Sequence, residues 1–261
     1  MSAAKNSIDR SKPLAGRTAI ITGSGQNIGR AIALLFAQAG ANIVVNGLRN
    51  QTSVDSVVKE VEKIGTKAMG CLADVADPDA VAAMVKKAED KCGAIDIAVS
   101  NVSIRLHKPF YDITIEDWER TLKSNLSAAF YLARLVLPGM QKRKWGRFIH
   151  ISGEDGFMGH IPNRAHNTVC KAGVHAFAKA ISIEFAADGV TANTVSPGPI
   201  DTVRNWNQYP KGWVEMRKAQ IPMRRLGHVD DIAEACLYLA GDSGSFVTGQ
   251  VLHLNGGMFM Y

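Results

Sequence analysis

From Arg17 onward the chain alternates short β-branched apolar runs with longer stretches in which apolar residues recur at helical spacing. Short apolar runs bounded by turn residues read as strands, and i, i+3, i+4 recurrence reads as helix. This pattern predicts strands at Arg17–Thr22, Asn42–Asn46, Lys67–Leu72, Ile95–Ser100, Arg147–Ser152, Thr191–Ser196 and Val251–Leu254. It predicts helices at Ile28–Ala39, Ser53–Ile64, Asp79–Cys92, Ile115–Lys142, Ala165–Ala187 and Val229–Ala240. Gly153 to Pro162, between a strand and a helix, is polar and glycine-rich and reads as a loop.

Strands that alternate with helices imply right-handed crossovers and a parallel sheet covered on both faces. The expected fold class is therefore α/β: a single-domain, doubly wound Rossmann-type sheet of about seven strands, with helices on both faces. The 261 residues, 46% of them hydrophobic, suit one such domain. No repeat, low-complexity segment or linker divides the chain, so residues 14–261 are assigned to the domain and the polar residues 1–13 to a flexible tail.

Composition narrows the function classes. A formal charge of +6 could suit a polyanion, but the one basic run, Lys142-Arg143-Lys144, falls at a helix end, where cations complement the dipole. No aromatic-interleaved basic patch accompanies it, so a nucleic-acid partner is not expected. Cys71, Cys92, Cys170 and Cys236 are widely spaced and form no CxxC, which suits free thiols and no metal site. No stretch approaches the ~18 apolar residues of a membrane span, so no membrane partner and a cytoplasmic location are expected.

The first strand delivers Thr22-Gly23-Ser24-Gly25-Gln26-Asn27-Ile28-Gly29 and then a helix. Glycines there let the backbone approach a pyrophosphate, and the helix N-terminus offers N–H groups and positive dipole. Asn27 stands where a glycine is usual, and Asn tolerates left-handed φ better than most residues. Asp74-Val75 follows the third strand, Asn101 the fourth, and Ser196-Pro197-Gly198-Pro199-Ile200-Asp201-Thr202 the sixth.

In this order and spacing, across roughly residues 16 to 257, these motifs resemble the short-chain dehydrogenase/reductase family, and within it the 3-oxoacyl-ACP-reductase-like members. The resemblance implies a dinucleotide held by Gly23, Gly25, Asn27, Ile28, Gly29, Asp74, Val75, Asn101, Lys171, Pro197, Gly198, Ile200 and Thr202. At the second strand end, Gly47 offers no acid to a ribose hydroxyl and Arg49 is close enough to pair with a 2′-phosphate. NADP(H) is therefore favoured over NAD(H).

The family's proton chemistry uses a Ser after the fifth strand and a Tyr-x-x-x-Lys on the next helix. Here Lys171 matches the Lys and Asn125 the family Asn, but Asn167 occupies the Tyr position and Gly153 the Ser position. The loop between them is one residue longer than usual, which could bring His166, an imidazole that titrates near neutrality, toward the cofactor. Glu154 is a second acid/base candidate, with Asp155 and His160 in the same loop. Arg105 and His107 fall where the family shapes its substrate pocket and could hold an anionic group. The expected function is an NAD(P)-dependent oxidoreductase acting on a small ketone or alcohol with an atypical proton donor. The alternatives are a non-redox lyase or hydrolase using His166, Glu154 and Lys171, and a catalytically silent nucleotide-binding protein. A homodimer or homotetramer is expected through the helices Ile115–Lys142 and Ala165–Ala187 and the closing strand.

Overall fold

A computed structural model describes residues 11–159, 161–203 and 211–260. Seven parallel strands form one sheet: β1 (Thr18–Ile21), β2 (Asn42–Gly47), β3 (Ala68–Leu72), β4 (Ile97–Ser100), β5 (Gly146–Ile151), β6 (Val190–Pro197) and β7 (Val251–Leu254). Their spatial order is β3-β2-β1-β4-β5-β6-β7. The order reverses between β1 and β4, and ligands of such sheets bind outside the carboxyl ends of the strands at that reversal. Thr22, Asn101 and the chain after β5 all leave the sheet on this side.

The helices are α1 (Asn27–Gln38), α2 (Gln51–Ile64), α3 (Pro78–Cys92), α4 (Ile115–Leu122), α5 (Ala128–Arg143), α6 (Ala165–Phe185), α7 (Trp213–Gln220) and α8 (Val229–Ala240). Alternation along each strand splits the core into two layers. Ile21, Val45, Val99 and Ile149 face α1, α2 and α8. Ile20, Val44, Ala98 and Phe148 face α3 and α5. Local signals set the helix starts: Asn50 caps α2 by accepting from Ser53 N, Asp77 precedes Pro78 at α3, and Thr114 and Asp117 form a capping box at α4.

The single helix expected over Ile115–Lys142 is two helices joined by a π-helical turn, Lys123–Ser127. Periodicity missed it because apolar residues recur at helical spacing on both sides of the turn and no Pro, Gly or cap marks the junction. The turn carries the buried Asn125, so the interruption serves the site. Helix α7 was also unread, because Trp206 to Ile221 lacks clean apolar periodicity. Residues 1–10 of the expected tail lie outside the described residues. Leu14 is fully buried and donates its N–H to Ala39 O at 2.9 Å.

Candidate active site

The turn after β1 is built for close approach to a ligand. Gly23 has φ 63° and Asn27 φ 51°, so the Asn takes the left-handed conformation that this position requires. A Cβ on Gly29 would lie 2.4 Å from Gly23 O and 2.8 Å from Asn101 Nδ2, so only glycine fits. The turn is braced from both neighbours. Gly23 N donates to Asn46 Oδ1 at 3.1 Å, and Asn101 Nδ2 donates to Thr22 O at 2.9 Å. At the start of α1, Gln26 supplies no side-chain cap and the first turn holds no acid, which leaves the helix end suited to an anion.

Asn27 has a second role that spacing did not reveal. Its Nδ2 donates to Val203 O at 3.2 Å and its Oδ1 accepts from Val203 N at 2.9 Å, tying the chain after β6 to the turn after β1. Thr202 is thereby brought to the wall of one cleft of about 1860 Å³, together with Gly23, Gly25, Asn27, Ile28 and Gly29. Arg49, Asp74, Val75 and Asn101 line the same cleft. Pro197, Gly198 and Ile200 lie behind the wall. Gly198 packs where a Cβ would come within 2.8 Å of Asn255 Cα, and Ile200 forms a bridge to Gly227. Gly47 packs tightly as well: a Cβ would meet Val54 Cγ2 at 2.6 Å, so an acid there would require Val54 to shift.

At the other end, Asn125, Asn167 and the loop after β4 form one network. Ile104 N donates to Asn125 Oδ1 at 2.8 Å, and Asn125 Nδ2 donates to Ile104 O at 2.8 Å and to Asn167 Oδ1 at 3.2 Å. Asn167 Nδ2 donates in turn to Leu106 O at 3.3 Å. The group at the Tyr position thus fastens a loop, and no proton can be exchanged there at neutral pH. Next to it Lys171 is buried, and its Nζ donates to Ile151 O at 3.3 Å. Burial, and secondarily the Arg105 charge, push its pKa down to about 7. A Cβ on Gly153 would have only Pro197 O (3.8 Å) and Lys171 Cε (3.9 Å) within 4 Å, so the missing Ser leaves open space beside the amine.

His166 is fully buried, neither ring nitrogen has a hydrogen-bond partner among the described residues, and, like Asn125, Gly153, Glu154, Asn167 and Lys171, it does not line the cleft. Burial lowers its pKa. Glu154 is buried too, with Oε1 3.6 Å from Arg217 Nη2 of α7, so the acid and that helix are tied together. Asp155 pairs with Arg164 Nη1 at 2.9 Å, and Arg164 Nε and Nη2 lie 3.2 and 3.0 Å from His107 Nε2. Neither Arg164 nor Arg217 was identified from spacing, because each becomes part of the site only through long-range folding. His160 lies outside the described residues. Among the described residues, no cluster of His, Cys, Asp and Glu could hold a metal, and no helix is long and apolar enough to cross a membrane.

A family model described as Enoyl-(Acyl carrier protein) reductase matches residues 23–259. The chain is 34% identical over 249 residues to 3-oxoacyl-ACP reductase FabG of Vibrio cholerae, covering 95% of this chain and 99% of that protein. It is also 34% identical over 249 residues to the 3-oxoacyl-ACP reductase of Synechocystis, with the same coverage. A solved structure, a blue fluorescent protein from a metagenomic library in complex with NADPH, superposes with a TM-score of 0.89 at 30% identity. That comparison covers 95% of this chain and 100% of the other. With this fold, this turn and these relatives, the chain belongs to the short-chain dehydrogenase/reductase family. It is an oxidoreductase of that family.

Proposed function

We propose that the protein uses NADP(H) to interconvert a small ketone and its alcohol, with Lys171 exchanging the proton that a Tyr handles elsewhere in the family. The observation that carries this reading is the Gly23–Gly29 turn, where Gly29 admits no Cβ and Asn27 holds a positive φ. Such a turn has little purpose without a ligand pressed against its backbone. A bound reduced nicotinamide supplies the hydride. Gly23, Gly25, Ile28 and Gly29 are assigned to its pyrophosphate, Asp74 and Val75 to its adenine end, and Asn101 and Thr202 to the nicotinamide half. Arg49 at the rim is the cation for a 2′-phosphate, and a neighbour of known structure was solved with NADPH.

The proton is assigned to Lys171 on geometry. Asn167 cannot titrate, and both His166 ring nitrogens are buried without a hydrogen-bond partner among the described residues. A Cβ at Gly153 would lie 3.9 Å from Lys171 Cε, so the Lys171 side chain stands beside the position where the family's Ser would hold a substrate oxygen. In reduction, the carbonyl carbon takes the hydride while Lys171 Nζ gives a proton to the oxygen. Asn125 keeps the β4 loop in place. Glu154 takes a positioning role on this reading, holding α7 through Arg217.

The test is the pH profile of reduction. With Lys171 as the acid, kcat/KM is full below about pH 7 and falls as the amine loses its proton above it. Lys171→Met removes that dependence together with most of the activity, while His166→Leu keeps both. Loss of activity in His166→Leu with a preserved fold would return the role to His166. Failure of either dinucleotide to bind in calorimetry would favour the lyase or hydrolase alternative.

A further inference from the structure

The chain that follows β7 returns to the cleft and is held there as a strap. Asn255 is buried and fixes the strap's course: its Nδ2 donates to Phe259 O at 2.9 Å, its Oδ1 accepts from Gly257 N at 3.0 Å, and its carbonyl accepts from Met258 N at 3.2 Å. The strap grips two walls of the site. On one side Met223 N donates to Gly256 O at 3.2 Å, and a Cβ on Gly256 would lie 2.6 Å from Cγ2 of Ile221, the residue that caps the C-terminal end of α7. On the other, Phe259 stacks on Phe157 of the loop after β5, with ring centroids 5.6 Å apart. The His253 ring stands edge-on to both, 4.9 Å from Phe157 and 5.0 Å from Phe259.

That loop and α7 are themselves joined, because Glu154 of the loop lies 3.6 Å from Arg217 Nη2 of the helix. Strap, loop and α7 therefore brace one another in a closed ring. Met258 belongs to the strap and lines the cleft, as do Trp213 and Met216 of α7. Its backbone is fixed through Asn255, so the reach of its side chain sets how far this wall extends into the cleft. A pocket wall of this kind discriminates by size, since a group too large for it must displace packed neighbours.

We infer that Met258 is a specificity-determining residue, which limits the size of the group attached to the substrate's carbonyl, and that Phe259 is a positioning residue acting through Phe157. This rests on the oxidoreductase reading and adds to it the part of the chain that selects the substrate.

The experiment compares 2,3-butanedione with 1-phenyl-1,2-propanedione, a methyl against a phenyl group on one carbonyl, each reduced with NADPH. Met258→Ala should raise kcat/KM for the phenyl compound relative to the methyl compound by about 10-fold, the low end for a pocket altered by a methylene. Phe259→Ala should raise KM for both compounds by about 3- to 10-fold, the range of one aromatic pair, with NADPH affinity in calorimetry unchanged. Phe259→Tyr, which keeps the ring, should retain the wild-type KM. A loss of folded protein alone would lower kcat for both compounds and move neither the ratio nor KM. An unchanged ratio in Met258→Ala overturns the specificity role, and an unchanged KM in Phe259→Ala overturns the positioning role. If the wild type reduces neither compound, calorimetry of the NADPH-loaded protein with the same two compounds decides. A shift of about 10-fold in relative affinity in Met258→Ala upholds the wall while the redox reading fails. An unchanged ratio, or no binding of either compound, overturns it.

Discussion

His150 offers a measurement of how the core behind the site is built. It lies on β5 with 1% of its surface exposed, between Phe148 (ring centroids 4.8 Å apart) and Phe177 (5.7 Å), and neither ring nitrogen has a hydrogen-bond partner among the described residues. Burial pushes its pKa to about 3, and that of its neighbour His175, stacked on Phe157, to about 4. Both values lie below the unfolded value of 6.5, so the folded chain keeps these rings neutral while the unfolded chain binds protons. Stability is therefore full above about pH 6.5 and is lost as pH falls toward 4 and 3. At pH 5 the linkage relation gives about 2 kcal/mol of lost stability for each ring, about 4 kcal/mol for the two relative to pH 8. His150→Leu removes one ring without breaking a hydrogen bond to any of the described residues. Urea unfolding at pH 8 and pH 5, at fixed protein concentration, should show the variant losing about 2 kcal/mol less than the wild type between the two. Equal losses would refute the assignment of acid sensitivity to His150.

Gly29→Ala should abolish dinucleotide binding in calorimetry, since its methyl would fall 2.4 Å from Gly23 O; retained affinity would mean the turn holds no pyrophosphate. Asn167→Tyr with Gly153→Ser should raise reduction of simple ketones by on the order of 10²-fold, because Gly153 has room for the hydroxyl and Lys171 stands beside it. No gain in a folded double variant would mean that the Asn167 bond to Leu106 shapes the pocket as much as the proton donor does. Static light scattering at micromolar concentration should report a dimer or tetramer, because Phe130 on α5, Ile183 on α6 and Phe246 near β7 are 50%, 90% and 102% exposed. A monomer would leave those side chains without a reason.

The fold was legible because its signals are local. Each strand is a short apolar run and α2, α3, α4 and α8 start at a capping side chain, so boundaries from pattern fall within about two residues of the observed ones for β2, β3 and α8. The conformation of the glycine turn after β1 was legible for a similar reason, since glycine spacing reports backbone conformation directly, and Asn27 takes the positive φ its sequence position demands. The catalytic end was not, because its geometry depends on contacts across long separations. Asn167 meets Leu106 across 61 residues and Arg164 meets His107 across 57. No Pro, Gly or capping residue marks the π-helical turn that presents Asn125, and a loop one residue longer than usual does not reveal where His166 turns. Spacing named the residue types, and packing decided which of them reach the cleft.

Hydride transfer is the central claim and can be followed atom by atom. The protein would be incubated with NADPH carrying deuterium at the transferred C4 position and with acetoacetate or dihydroxyacetone phosphate, and the alcohol analysed by mass spectrometry. One deuterium on the hydroxyl-bearing carbon, formed by the wild type and strongly diminished in Lys171→Met, is the predicted result. A wild type that binds NADPH but leaves every ketone undeuterated would contradict the account and assign the cleft to nucleotide binding without redox chemistry.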